Sequence, residues 1–185
     1  MKDSAINSVS YWLDADDQII GVSERWLSFA LQNGAPQLRP ETVVGRQLWS
    51  FISGQTVRHL FQQLLGQVRE RGRGVSVPFR CDSPERRRYM RLSCLPLDAR
   101  SIEMCSTLLR EEPREPAPQI SNRGLLRMCS WCKRIARSDV DWMEIEAAAV
   151  DLGFFERTEP AEITHVVCPD CSRMLLEEIG ADRPV

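Results

Sequence analysis

Cys129-Ser130-Trp131-Cys132 and Cys168-Pro169-Asp170-Cys171 form two Cys-x-x-Cys pairs separated by 35 residues. Cysteines three apart on a tight turn direct both sulfurs at one cation, and two such turns complete a tetrahedron. Four thiolates favour zinc among the common intracellular metals, with iron as a substitute. The separation exceeds the roughly 15–20 residues of a short zinc ribbon and leaves room for a helix. Pro169 suits the first position of a helix on which Met174, Leu175 and Ile179 recur before Gly180, so Cys171 falls in a first turn, where the helix dipole favours a thiolate. Asp141 and Glu144 have the spacing of a capping box for a second helix from Trp142 to Leu152, ended by Gly153. His165, three residues before Cys168, can stand in for a ligand or hydrogen-bond a sulfur. The competing reading is a dithiol switch. A structural metal is favoured because there are two motifs rather than one, and because a segment this small needs a staple. Seven cysteines is an odd number that argues against complete disulfide pairing, and clustered cysteines in a reducing compartment are metal ligands or redox groups.

The first 110 residues carry a different pattern. Ser10 to Leu13 and Gln18 to Val22 flank an acidic turn at Asp14-Ala15-Asp16-Asp17, which reads as a hairpin. Ser23 stands as an N-cap before a short helix that ends at Asn33-Gly34. From 55 to 71, Val57, Leu60, Phe61, Leu64, Leu65 and Val68 follow the helical repeat, so one face of that helix is buried. Past Gly72 the period changes to two. Val75, Val77, Phe79 and Cys81, then Arg88, Met90, Leu92 and Cys94 after a turn at Asp82-Ser83-Pro84-Glu85, then Ile102, Met104, Ser106 and Leu108, describe a three-stranded meander. Cys81, Cys94 and Cys105 read as small apolar strand residues. Glu111 to Gln119, with three prolines and four charges, reads as a spacer that disfavours both helix and ladder. The organisation is therefore a first domain over 8–110, a linker over 111–122 and a four-cysteine module over 123–180.

Trp12-Leu13-Asp14-Ala15-Asp16-Asp17-Gln18-Ile19-Ile20, followed by the helices, Val44-Gly45-Arg46-Gln47-Leu48-Trp49-Ser50-Phe51-Ile52 and the meander, resembles the PAS family. The resemblance implies a five-stranded antiparallel sheet with helices on one face, enclosing a small cavity that takes a flavin, a haem or a metabolite, or that is filled by side chains in a dimerisation module. Arg46-Gln47-Leu48-Trp49 stands where photoactive flavin-binding members carry their reactive cysteine, which disfavours covalent flavin chemistry. His59 lies on the helix from which haem-binding members offer an axial imidazole, but at the edge of the apolar face. The cavity ligand is thus left unidentified. Met128 to Ile135 with Thr164 to Cys171 resembles the cysteine module found after PAS or receiver domains in bacterial signalling proteins. The expected fold class is α+β, a PAS-like sheet plus a small α-rich, zinc-ribbon-like module.

Net charge is −2, which supplies no overall attraction to nucleic acid. Residues 60–100 hold nine arginines against four acids, read as a solvated strand rim rather than an anion-binding face. Five basic residues between Arg123 and Arg137 raise a nucleic-acid reading, but 123–180 as a whole holds seven basic and eleven acidic side chains, the wrong sign for phosphate. Four protein thiolates close the coordination sphere, so metal hydrolysis and enzymatic activity in general are not expected. No run approaches the roughly 20 apolar residues of a membrane span, and the polar opening residues lack the apolar core of a secretory leader, pointing to the cytoplasm. The expectation is a signalling sensor or adaptor that acts through protein partners or through a homodimer of its first domain. A nucleic-acid-binding regulator and a thiol switch are the alternatives.

Overall fold

The computed structural model describes residues 8–83, 85–113, 125–151 and 162–178. Pro84 of the predicted turn, the linker beyond Pro113, Leu152 and Gly153, and Ile179 and Gly180 lie outside the described residues.

Strands β1 (Ser8–Leu13), β2 (Ile19–Val22), β3 (Val75–Arg80), β4 (Arg86–Pro96) and β5 (Ile102–Pro113) form one antiparallel sheet in the order β2-β1-β5-β4-β3. Register puts the alternating apolar sets on one face: Leu13 opposes Ile102, Met104 opposes Cys94, and Cys94 opposes Val75. Helix α3 (Gln55–Arg71) lays Val57, Leu60, Leu64, Leu65 and Val68 on that face and ends at Gly72, whose φ of 60° is the left-handed conformation open to glycine. Helices α1 (Trp26–Gln32) and α2 (Pro40–Val43) and a 3-10 turn at Leu48–Ser50 complete the cover. The hairpin turn is locked from below. Asp14 accepts the Asp16 and Gln18 N–H groups, and Arg69 of α3 pairs with Asp17 at 2.7 Å.

Two expectations need correcting here. Ser23 does not cap α1: its hydroxyl accepts the Ser10 N–H (3.1 Å), tying the end of β2 back to β1. Glu111–Pro113, read as spacer, extend β5 and oppose Arg86–Arg88, because the cross-strand Arg88–Glu111 pair at 2.8 Å turns local charge into pairing.

The second unit contains more strand than its sequence suggested. Strands β6 (Leu125–Cys129), β7 (Ile135–Ala136), β8 (Trp142–Met143) and β9 (Glu162–Val166) form a four-stranded sheet ordered β8-β7-β6-β9, with β6 and β9 parallel, accompanied by α4 (Ile145–Asp151) and α5 (Pro169–Glu178). The predicted helix start at Trp142 is overridden. Trp142 and Met143 pair with Ala136 and Ile135, and the Glu144 carboxylate turns to Arg80 in the first sheet instead of capping. Among the described residues, only Leu126, Ile135 and Ala148 form a buried cluster belonging to this unit alone. Cys129, Trp131, Cys168, Cys171 and Leu175 are buried in one continuous cluster with Leu60, Leu64, Val77 and Leu92 of the first unit. A segment with so small a core gains stability by sharing its neighbour's.

Candidate metal centre

Each cysteine pair sits where a strand stops. Cys129 is the last residue of β6 and Cys168 follows β9 closely, so the parallel pairing of these strands brings the two turns side by side. Pro169 then opens α5 and carries Cys171 into its first turn, as its position in the sequence predicts. The four sulfurs of Cys129, Cys132, Cys168 and Cys171 lie within 4.8 Å of one another, and none is in a disulfide. The Cys132 and Cys168 sulfurs are 3.8 Å apart, far beyond the roughly 2.05 Å of a disulfide. A tetrahedral ion with metal–sulfur bonds of about 2.3 Å has sulfur–sulfur edges of about 3.8 Å. The four residues therefore fit a tetrahedral metal ion by donor type and by spacing.

Surrounding groups favour anionic sulfur. The Trp131, Cys132 and Cys168 backbone N–H groups point at Cys129 Sγ (3.4, 3.5 and 3.4 Å), and the Cys171 N–H points at Cys168 Sγ (3.5 Å). Arg134 donates from Nε to Cys132 Sγ at 3.2 Å, and its Nη2 lies 3.8 Å from Cys168 Sγ and 3.1 Å from Asp170. Hydrogen bonds from the Cys129 and Cys171 thiols, with that guanidinium, hold Cys132 well below the ordinary thiol range. Cys171 is pushed up by its hydrogen bonds to the Cys129 and Cys132 sulfurs, and Cys168 by burial. Neighbouring thiolates repel one another, and a cation among them removes that repulsion. Metal binding at such a site requires deprotonated sulfur and releases protons. Arg134 is a residue that motif reading missed, although its position two residues after Cys132 was the available signal.

The turn between Cys129 and Cys132 also docks the second unit. β3 is an edge strand, and Pro78 is tolerated within it because its missing N–H faces away from β4. On that open edge the Trp131 indole N–H donates to the Pro78 carbonyl (2.5 Å), and the Arg80 N–H donates to the Trp131 carbonyl (2.8 Å). The indole ring packs at 5.6 Å from Phe61 and 6.3 Å from Phe79, which leaves Trp131 5% exposed. Arg80, held by Asp82 (2.5 Å), reinforces the junction through Glu144 (2.6 Å), and Arg87 reaches Glu146 (3.0 Å). Much of the arginine-rich stretch is thus spent on internal pairs. Arg127 with Asp139 (2.6 Å) and Arg137 with Asp151 (3.3 Å) do the same in the second unit.

A cavity of about 430 Å³ opens between the concave sheet face and the docked turn, with Tyr11, Phe61, Phe79 and Leu92 inside and Ser130, Trp131, Lys133 and His165 on the second unit's side. A neighbouring space of about 290 Å³ under α1 shares Tyr11, Phe79, Cys81 and Ser106 with it. His165 stands at this rim and outside the four-sulfur group. The Gly54 backbone, at φ 86°, passes so close that a Cβ there would meet the His165 carbonyl at 3.0 Å. His59 is exposed on α3, its ring 3.4 Å from Gln63, and it does not line the cavity. Cys94 is fully buried, Cys81 lines the cavity, and Cys105 lies near Thr107 (3.8 Å). No described helix is long and apolar enough to cross a membrane.

No protein-family model and no curated protein matches this sequence. Among solved structures, the chain is similar to a domain of an HTR-like protein from Haloarcula marismortui, at 18% identity and a TM-score of 0.41, over 56% of this chain and 98% of that one.

Proposed function

We propose that this protein is a non-enzymatic signalling sensor or adaptor of the PAS type, in which Cys129, Cys132, Cys168 and Cys171 hold a structural zinc ion and the zinc-bound turn forms part of the sensing cavity. The observation that carries this reading is the position of Trp131. It stands between Cys129 and Cys132 in the chain, and its indole is both the anchor on β3 and a wall of the cavity. A molecule entering the cavity therefore touches the element that joins the two units. Output passes to a protein partner through the second unit's surface. Zinc has a structural part here, because four cysteine sulfurs fill a tetrahedral sphere and leave no position for a substrate.

The test is metal analysis with free-thiol counting on protein purified without a metal-affinity tag, followed by amide exchange over residues 75–80 before and after chelation. About one zinc per chain, four thiols freed by chelation and faster exchange at the Arg80 amide are the expected results. A second reading, a thiol switch, is favoured by the close approach of the Cys132 and Cys168 sulfurs, 3.8 Å apart. Two reducible disulfides with no metal would replace the zinc reading with that one.

A further inference from the structure

Resting on the sensor reading, we infer that the cavity takes an organic monoanion, with an apolar or aromatic body against Phe61, Phe79 and Trp131 and its single negative head at Lys133. The cavity volume of about 430 Å³ falls in the roughly 300–1,000 Å³ range of small-molecule sites. Its walls are mostly aromatic and aliphatic, and the charged side chains that line it are Arg80 of β3 and Lys133 of the second unit.

Lys133 is an unexpected residue at its position. After Cys132 the chain must turn back so that the Lys133 N–H reaches the Cys129 carbonyl (3.0 Å), and this places Lys133 at φ 64°. That left-handed conformation admits glycine freely and disfavours any residue with a Cβ. Strained positions of this kind occur at ligand clamps. The side chain that accompanies the strain lines the cavity, half-buried, with its ammonium on the Ser130 carbonyl at 2.8 Å. That contact uses one of three donors. No carboxylate pairs with Lys133 among the described residues. Its neighbours do not compete for the role. Arg80 is already paired with Asp82 and Glu144, and Arg134 faces the sulfurs and Asp170. A lysine with no carboxylate partner among the described residues, at the mouth of an apolar cavity, suits one negative charge, and a phosphate dianion would call for more. The charge is felt inside: burial pushes the Cys81 thiol up, while Lys133 and Arg88 pull against it.

The experiment is calorimetric titration of the zinc-loaded full chain with 2-naphthoate and with 2-naphthol, which share a ring system and differ in charge at neutral pH. Wild type is expected to prefer naphthoate by about tenfold or more, the scale of a charge-assisted hydrogen bond. Lys133→Gly relieves the backbone and should keep one zinc per chain with an unchanged or higher Tm, yet lose the preference. Lys133→Met keeps the strain and the stem and should lose it too. A preference that survives in both variants overturns the assignment of the head to Lys133. Equal binding of the two probes by wild type overturns the anion class and leaves the sensor reading standing. Failure of both probes to bind overturns the inference. If the native mass of protein from its expression host also equals chain plus metal, the small-molecule branch of the sensor reading falls with it.

Discussion

Replacing Trp131 by alanine should loosen the junction between the two units while leaving the metal site filled. The side chain is 5% exposed and packs against Phe61 and Phe79. Truncating a buried tryptophan costs about 3–5 kcal/mol in transfer and cavity energy. Loss of the indole N–H from the Pro78 carbonyl adds about 1 kcal/mol, held to that figure because water can reach a strand edge once the turn lifts. The sum, about 4–6 kcal/mol, is a large part of the roughly 5–15 kcal/mol available to a typical domain. Trp131→Phe keeps most of the ring and loses the donor, so it should cost only about 1–2 kcal/mol. The four sulfurs are positioned by β6, β9 and α5, not by the indole, so zinc content should stay near one per chain in both variants. Urea unfolding of the zinc-loaded proteins gives the two energies, and amide exchange at Arg80, whose N–H reaches the Trp131 carbonyl, reports the docking locally. A loss under about 1 kcal/mol in Trp131→Ala, with protection at Arg80 unchanged, would refute the claim that this residue anchors the turn.

Cys168→Ser should abolish stoichiometric zinc binding and, by releasing both turns, raise exchange along β3 to the level seen after chelation. Arg80→Met should cost about 3–5 kcal/mol in urea unfolding, because Asp82, whose side chain is 6% exposed, loses its guanidinium. Glu144→Gln, at a carboxylate 42% exposed, should cost under about 1 kcal/mol. Equal losses would show that Arg80 acts through Glu144 instead. Alkaline pH should weaken the fold through Cys94, whose thiol burial pushes up from 9.0 to about 12. The folded state holds that proton when the unfolded chain has released it, so this stabilisation is full below about pH 9 and is lost as pH rises toward about 12. Unfolding midpoints taken across that window should fall less steeply in Cys94→Ala, and an unchanged slope would remove Cys94 as the cause.

What could be read from the chain was whatever repeats locally. The 3.6-residue spacing from Val57 to Val68 located α3 within 55–71 and its buried face, because a helix can bury only one stripe. Alternation located β3, β4 and the start of β5 with their inward sets, since a strand sends successive side chains to opposite faces. Cysteines three apart, twice, marked the four sulfurs that the fold gathers within 4.8 Å, because two residues between them leave a tight turn that sends both sulfurs the same way. Ser23 and Glu144 were misread where a distant partner won: the Ser10 N–H took the serine hydroxyl, and Arg80 took the carboxylate. Strands β7 and β8, two residues each, carry too short a pattern to announce themselves.

By itself, then, the sequence determined the elements that have a period and the chemistry that has a spacing. Only the tertiary structure decided that the cysteine turn lies on the edge of β3, that Trp131 closes the cavity wall, and that Lys133 faces into it rather than toward the sulfurs. The reason is physical. A local pattern records which face of an element must leave water, whereas the surface that covers that face is chosen by shape, edge hydrogen bonding and charge from residues as far apart as Pro78 and Trp131.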